Sequence, residues 1–383
     1  MDVIIIGSGI AGLYTAYNLK TDSFLILEKN TKRHLGGRVG NEMFCGSEIV
    51  TGAGVGRKRD KLLFQLVREL SLEAKEFTTT QHYSSLIRRE NIRDIIVKLK
   101  KNLNGVYTFK DFGTKVLGSA AYKEFIIASG YSDFEKEDAF DTLYHYGLED
   151  NFYPLKAFHV PWKKMVMKLY ELIGESHFRF SCNVLKITKI HDKFCIETKN
   201  KDYICNKVII ATTIESLRKL LPNPIYRQIE GQPFLRLYGK FSKKSLPILN
   251  EYVHGYTIVP GPLQKIIPIN QSTGVYMIAY NDNNNTKKIL PFITNTEENR
   301  DFFCDLIEKS LDMPKDSIEL LTIKGYYWEI GTHYYKPHGM NRNEFIYKLQ
   351  HPEKGIFVVG EVVSHDQGWT EGALDSVKRI KIF

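Results

Sequence analysis

Cysteine is scarce in this chain. The five present, at 45, 182, 195, 205 and 304, form no C-x-x-C pair and no metal-ligand spacing. An odd, scattered set argues against a disulfide framework and for a reducing compartment, so a cytoplasmic location is expected. Long apolar runs are missing too: no stretch approaches the roughly 20 residues of a membrane span, and the closing KRIKIF is half charged. Asp2 follows the start and no basic leader precedes the first apolar run, so no secretory signal is expected. Nor is there a block of one charge. The net charge of +9 is spread along the chain, with only short groups at Arg57-Lys58-Arg59 and Lys98-Leu99-Lys100-Lys101. That pattern reads as solvated surface rather than a nucleic-acid stripe, and it disfavours a polycationic substrate. What remains is an ordinary globular composition, 43% hydrophobic and 25% charged, in 383 residues, which exceeds the usual capacity of one core and suggests two domains.

The chain does carry a glycine-punctuated start. Val3–Ile6 is a short apolar run of β-branched residues, which predicts a buried parallel strand. Gly7, Gly9 and Gly12 follow at once, and Leu13, Ala16, Tyr17 and Lys20 continue with helical spacing. Strand, tight turn and helix make G-x-G-x-x-G a dinucleotide fingerprint. Gly7 permits the turn, Gly9 admits a pyrophosphate, and Gly12 lets helix and strand pack closely. The phosphates would rest on free N–H groups of the helix N-terminus, around Ile10 and Ala11, where the helix dipole favours negative charge. A second strand, Phe24–Leu27, ends in Glu28-Lys29, with Glu28 placed to accept hydrogen bonds from ribose hydroxyls. Two more glycine segments suggest close approach to the same ligand. One is Leu35-Gly36-Gly37-Arg38, whose arginine offers a fork of donors to phosphate; the other contains Gly52-Ala53-Gly54.

Further along, residues 60–70 read as an amphipathic helix. Residues 78–110 alternate short strand-like runs with charged stretches, and 114–147 look helical, with Ser132-Asp133-Phe134-Glu135 as a capping box opening a helix to Tyr146. This block lacks βαβ rhythm and belongs to a separate lobe. Residues 162–173 are again helical and lead back toward the first domain. A hairpin follows over 184–202, then a second buried strand in Lys207-Val208-Ile209-Ile210-Ala211-Thr212 and a helix stopped by Pro222. Residues 234–280 predict an antiparallel sheet, 281–285 (NDNNN) an exposed loop tip, and 297–311 a helix. A third buried strand at 356–359 ends in Gly360-Glu361, and Gly368-Trp369-Thr370-Glu371-Gly372-Ala373 opens a last helix. A strand, an acid and a second glycine-led helix N-terminus so far downstream imply that the chain returns to one long cofactor. An extended FAD, touched at both ends, explains this better than a nicotinamide dinucleotide.

Together, DVIIIGSGIAGL with Glu28, LGGR at 35–38, the strand holding Val184 with VIIAT, and GEVVS…GWTEGAL at 360–374 resemble the FAD-dependent amine oxidase family. That family spans monoamine and polyamine oxidases, L-amino-acid oxidases and flavin histone demethylases. The resemblance implies an α/β, two-domain flavoprotein with a Rossmann-like FAD-binding domain and a mixed α+β substrate domain. Residues 1–76, 176–233 and 325–383 would form the first domain; 77–175 and 234–324 would form the second, a helical lobe plus an antiparallel sheet. It also implies roles. Gly7, Gly9 and Gly12 would hold the pyrophosphate, Glu28 (with Lys29 beside it) the adenosine ribose, Arg38 the phosphates and flavin, Val184 the adenine through its backbone, and Glu361 a ribityl hydroxyl. Backbone N–H groups near Thr370 and Glu371 would face the N1/O2 edge of the flavin, and Gly36, Gly37, Ala211, Gly360, Gly368 and Ala373 fall in the cofactor-lining motifs.

Trp369 would be one wall of the family's aromatic cage, and spacing puts the other at His333 or Tyr334. Thr332 stands where covalent members carry a cysteine, which implies a non-covalent FAD. Where the family places a lysine that holds water at flavin N5, this chain aligns Arg236, with Lys240 as the alternative register; arginine differs in donor geometry and in basicity. No metal is implied. The reading is an FAD-dependent oxidoreductase that moves a hydride from an amine to flavin N5 and passes the electrons to dioxygen, giving imine and hydrogen peroxide. Two alternatives stay open: a flavoenzyme of desaturase or porphyrinogen-oxidase type, and a degenerate FAD-binding protein with a structural role. Within amines, Arg57 lies two positions from where an amino-acid oxidase would bind the substrate carboxylate. The substrate and the oligomeric state stay open.

Overall fold

A computed structural model of the protein describes residues 1–88, 91–148 and 154–380. Val3–Ile6, buried along its whole length, pairs in parallel with Phe24–Leu27 on one side and Lys207–Ile210 on the other. Phe178–Arg179 and Ile356–Val358 complete a five-stranded parallel sheet at its two edges. Alternate side chains go to opposite faces. Ile5 points into a core built with Leu13, Leu66, Trp162 and Leu374 from the helices Ile10–Asn18, Lys61–Glu69, Trp162–Ile173 and Thr370–Arg379. Ile4 and Ile6 point into a second core with Ile196, Leu217 and Phe345, under the three-stranded sheet that begins at Val184. Both faces are covered, which is why these strands are apolar runs without alternation. Helix and strand meet tightly at the first turn: a Cβ on Gly12 would sit 2.1 Å from the carbonyl oxygen of Gly7.

A six-stranded sheet stands beside it, in the order Leu320–Tyr335, Ile229–Phe241, Val275–Asp282, Lys265–Asn270, Tyr256–Ile258 and Gln81–Tyr83. It is antiparallel except for the last pair. One face packs Leu237 and Ile278 against Phe303 and Ile307 of helix Glu297–Leu311. The helical lobe, with Leu99, Phe109, Phe112, Phe125 and Phe134 at its centre, lies against the far end of this sheet through Ile258.

The structure corrects several local expectations. Residues 92–102 form a helix, Ile92–Asn102, capped by the Asn91 side chain, rather than strand-like runs. The capping box at 132–135 does not form. Ser132 donates its hydroxyl to Asp282 at 2.6 Å, the chain makes a short 3-10 turn at Asp133–Lys136, and Asp138 caps the helix Ala139–Tyr144 instead. The NDNNN run is no exposed tip: Asn281, Asp282 and Asn283 are buried. They are held there because Asn281 donates to the carbonyl of Pro262 and accepts from Thr286, while Asp282 collects donors from Ser132 and Gln264. Two strands also cross the expected domain boundaries at 233/234 and 324/325. Ile229–Phe241 and Leu320–Tyr335 are each continuous, and their Ile229 and Tyr335 ends enter the second core of the parallel sheet. The helix Trp162–Ile173 packs in the parallel-sheet core, not in the helical lobe.

Trp162 ties that core to the cavity wall, because its fully buried indole donates to the Gly54 carbonyl at 3.0 Å. Trp162→Ala should cost about 3–5 kcal/mol, read as a lowered urea midpoint. Trp162→Phe, which loses chiefly the hydrogen bond, should cost less than half as much.

Candidate active site

Between the two sheets lies a cavity of about 1780 Å³. A drug-sized pocket is roughly 300–1,000 Å³, so this one has room for a ligand of dinucleotide length and a second molecule. Two helix N-termini open onto it. The helix Ile10–Asn18 begins at Gly9 and the helix Thr370–Arg379 at Trp369, and neither has a side-chain cap. Their first-turn N–H groups and positive dipole ends are thus presented to whatever fills the space. Gly36 is held against this turn, its N–H donating to the Ser8 carbonyl at 2.9 Å and its neighbour Gly37 lying against Gly9. Ala53 N–H donates to the Arg38 carbonyl, which brings the two glycine segments together.

The buried Glu28 accepts from the Ser8 N–H and hydroxyl (both 2.9 Å) and from the Asn30 N–H (2.8 Å), so its carboxylate is fixed at the cavity wall beside Lys29 and Val184. The buried Glu361, also at the cavity wall, is held more fully. It accepts the His333 N–H at 2.8 Å, the His333 ring Nδ1–H at 2.6 Å, the Gly368 N–H at 2.8 Å and the Arg38 guanidinium at 3.1 Å. The Ile214 N–H points at His333 Nε2, so the ring proton sits on Nδ1 and a neutral imidazole donates to Glu361. Burial lowers the pKa of His333, against the pull of Glu361. For Glu361, burial raises the pKa, but His333 and Arg38 outweigh it and hold the carboxyl down at about 2. A cavity walled by two anchored carboxylates and two uncapped helix N-termini fits a dinucleotide held twice.

Nearly all the residues expected to bind cofactor line this one cavity: Gly7, Gly9, Ile10, Ala11, Glu28, Lys29, Gly36, Gly37, Arg38, Gly52, Ala53, Gly54, Val184, Ala211, Gly360, Glu361, Gly368, Trp369, Thr370 and Ala373. Gly12 lies behind it, in the helix–strand contact. Arg236 lines it as well. It is buried, donates through Nε to the Gly52 carbonyl, and lies 4.3 Å from the ring centre of Tyr280. Lys240 does not line it.

The second cage wall does not fall where spacing put it. His333 is buried as the clamp on Glu361, and Tyr334 is buried near Glu230 and Glu137, its phenol pushed up to about 12 by burial and those charges; neither lines the cavity. The extended strand explains this, since residues 333 and 334 have passed into the region of the second core. Trp369 does line the cavity, donating to the Tyr146 carbonyl, but Arg57 sits 3.6 Å over its ring. Arg57 in turn is buried, paired with Asp60 at 2.7 Å and outside the cavity lining, so the possibility that it binds a substrate carboxylate is not supported.

The chain matches the family of NAD(P)-binding Rossmann-like domains over residues 5–70. No curated protein matches the sequence. Among solved structures, a redesigned double mutant of putrescine oxidase superposes with a TM-score of 0.77 at 13% identity, covering 99% of this chain and 97% of that one. Cyclohexylamine oxidase from Brevibacterium oxydans IH-35A gives 0.76 at 14%, with the same coverage. A protoporphyrinogen oxidase-like protein from Exiguobacterium sp. 255-15 gives 0.69 at 14%, covering 98% and 97%. The fold is that of a two-domain flavoprotein amine oxidase.

Within this amine-oxidase fold the cavity has an inner end that the sequence reading missed. Lys265, Asp133 and Asp282 line it with Tyr131, Tyr146, Tyr256 and Tyr280. Lys265 and Asp282 lie on neighbouring strands of the six-stranded sheet, and Asp133 comes from the helical lobe. Lys265 heads the apolar run IIPI, and Asp282 sits in the polar NDNNN run, so neither stood in a recognisable motif. A lysine buried at the start of such a strand was the one available signal. No helix among the described residues is long and apolar enough to cross a membrane.

The Glu361 clamp has a measurable pH signature. A carboxyl held near 2 when folded, against an ordinary 4.5, contributes its full stabilisation above about 4.5 and loses it as pH falls toward 2. The shift corresponds to roughly 3 kcal/mol. Urea midpoints of the native chain should therefore fall more steeply between pH 4.5 and 2 than those of Glu361→Gln. Parallel curves would show that Glu361 is not so held.

Proposed function

We propose that the protein is an FAD-dependent oxidoreductase that oxidises an amine, with dioxygen as electron acceptor. The observation that carries this is one cavity whose wall holds the fixed carboxylates of Glu28 and Glu361 and onto which two uncapped helix N-termini open. The amine-oxidase fold of the whole chain supports the same reading. Gly7, Gly9 and the first turn at Ile10 and Ala11 would hold the pyrophosphate, Glu28 the adenosine ribose, the Val184 backbone the adenine, and Glu361 a ribityl hydroxyl. The N-terminus at Thr370 would offer its N–H groups and dipole where negative charge gathers on reduction. Thr332 lines the cavity with a hydroxyl that accepts from Gln232 and brings no thiol, so the cofactor would be held without a covalent bond. Bound there, FAD would supply a hydride acceptor and return the electrons to dioxygen as hydrogen peroxide.

The chain's own part is placement. Arg236, anchored on Gly52 and stacked near Tyr280, offers its remaining N–H groups to the cavity in the register where the family has lysine. A guanidinium stays charged and can orient water there without taking up its proton. Trp369 presents indole surface that attracts a cationic or neutral amine and excludes water. Charged and phenolic side chains at the inner end suit a small polar substrate, which sets the desaturase and porphyrinogen-oxidase alternatives behind this reading.

Purified protein should carry a flavin spectrum that a primary amine bleaches under anaerobic conditions and that air restores with release of peroxide. A flavin that no amine reduces would sink the proposal. Arg236→Met should slow the reduction roughly a hundredfold in stopped-flow, as loss of a positioned donor does.

A further inference from the structure

The inner end of the cavity has one group with nothing to bind. Lys265 is 1% exposed, lines the cavity, and its ammonium makes no hydrogen bond or ion pair with any of the described residues. It rests 3.2 Å from the ring centre of Tyr131 and 5.6 Å from that of Tyr280. Its place is built: a Cβ at Gly130 would lie 2.6 Å from Lys265 Cε, so the glycine leaves room for the stem. A buried ammonium with three unused donors is costly unless an acceptor reaches it.

The Asp282 carboxylate and one oxygen of Asp133 are engaged elsewhere. Asp282 Oδ1 takes the Ser132 hydroxyl at 2.6 Å, the Ser132 N–H at 3.1 Å and Gln264 Nε2 at 3.1 Å; its Oδ2 shares the Ser132 N–H. Asp133 Oδ1 takes the Tyr146 hydroxyl at 2.5 Å. Burial and the charge of Asp282 push the Asp133 carboxyl up from the usual carboxylate range. Burial also drives the pKa of Lys265 down, with Asp282 and Asp133 pulling it back. Arg236, the other cation on Tyr280, has no carboxylate partner among the described residues either. Lys265 is left with donors that no acceptor among the described residues meets, and an anion entering the cavity would meet them.

We propose that the inner end of the cavity binds a carboxylate of the substrate, with Lys265 as the residue that receives it. This rests on the amine-oxidation reading for the other end of the molecule, and it makes the substrate an amino carboxylate. An alkyl diamine of the putrescine kind would set a second ammonium against Arg236 and Lys265, and is discriminated against.

The test uses flavin-loaded protein and pentanoate, which carries the carboxylate and no oxidisable amine. Pentanoate should perturb the flavin absorption spectrum saturably. Lys265→Met should weaken that binding tenfold or more, and Lys265→Arg should keep it within a few-fold of the native value. Equal pentanoate affinity in Lys265→Met and the native protein overturns the proposal; Lys265→Gln serves if the methionine variant does not fold. In a separate arm, 5-aminopentanoate should reduce the flavin with a higher kcat/KM than 1,5-diaminopentane, and the ratio should fall at least tenfold in Lys265→Met. A preference for the diamine in the native protein also overturns it. Should neither compound reduce the flavin, the pentanoate titration alone decides the role of Lys265, and the amine reading is decided by whether any amine bleaches the flavin.

Discussion

The constraint on which the rest of the site depends is the burial of the Glu361 carboxylate. A charge in the interior has to be met by donors, and here they come from three separate stretches: Arg38 in the second glycine segment, His333 on the longest strand, and Gly368 ahead of the last helix. Meeting that charge fixes the geometry of all three. It turns the Gly368-Trp369 turn so that the last helix starts at the cavity, and it draws Arg38 into place by a hydrogen bond to the Gly331 carbonyl as well. His333 is itself fixed by the Ile214 N–H, so the clamp extends to the helix behind it.

The parallel sheet and its ligand-facing turns were legible in the sequence because they rest on local rules. Apolar β-branched runs, glycines where a backbone approaches another, and an acid after a strand each carry their meaning within a few residues. Val3–Ile6, Phe24–Leu27, Lys207–Ile210 and the last helix stand where that reading put them. The inner end was not legible, for the opposite reason. Lys265, Asp133 and Asp282 belong to different elements, and only tertiary pairing brings them to one wall. The NDNNN run illustrates the point: its composition is that of a solvated turn, and it is buried because Ser132, Gln264 and Pro262 happen to satisfy it. The cage residues failed on register. A spacing count from Gly331 could not tell which neighbours on a 16-residue strand face the ligand and which face the second core.

The two halves of the cavity also differ in kind. One half is lined largely by backbone, from glycines and two helix starts, and suits a ligand with phosphates and hydroxyls. The inner half is lined by side chains of the six-stranded sheet and the helical lobe, and its chemistry follows from residue identity. Substitution there can alter what is accepted without disturbing the backbone cradle.

The long strands Ile229–Phe241 and Leu320–Tyr335 carry a mechanical consequence. They are paired with each other from Ile229–Tyr335 to Phe241–Leu320, and they continue from the six-stranded sheet to the core beneath the parallel one. A paired, twisted ribbon of that length acts as a beam clamped at both ends, and bending it would break ladder bonds across its width. The two sheets are thereby braced against hinge-like opening. Any motion that widened the cavity would have to come from elements outside this ribbon, and the spacing between the two sheets stays set.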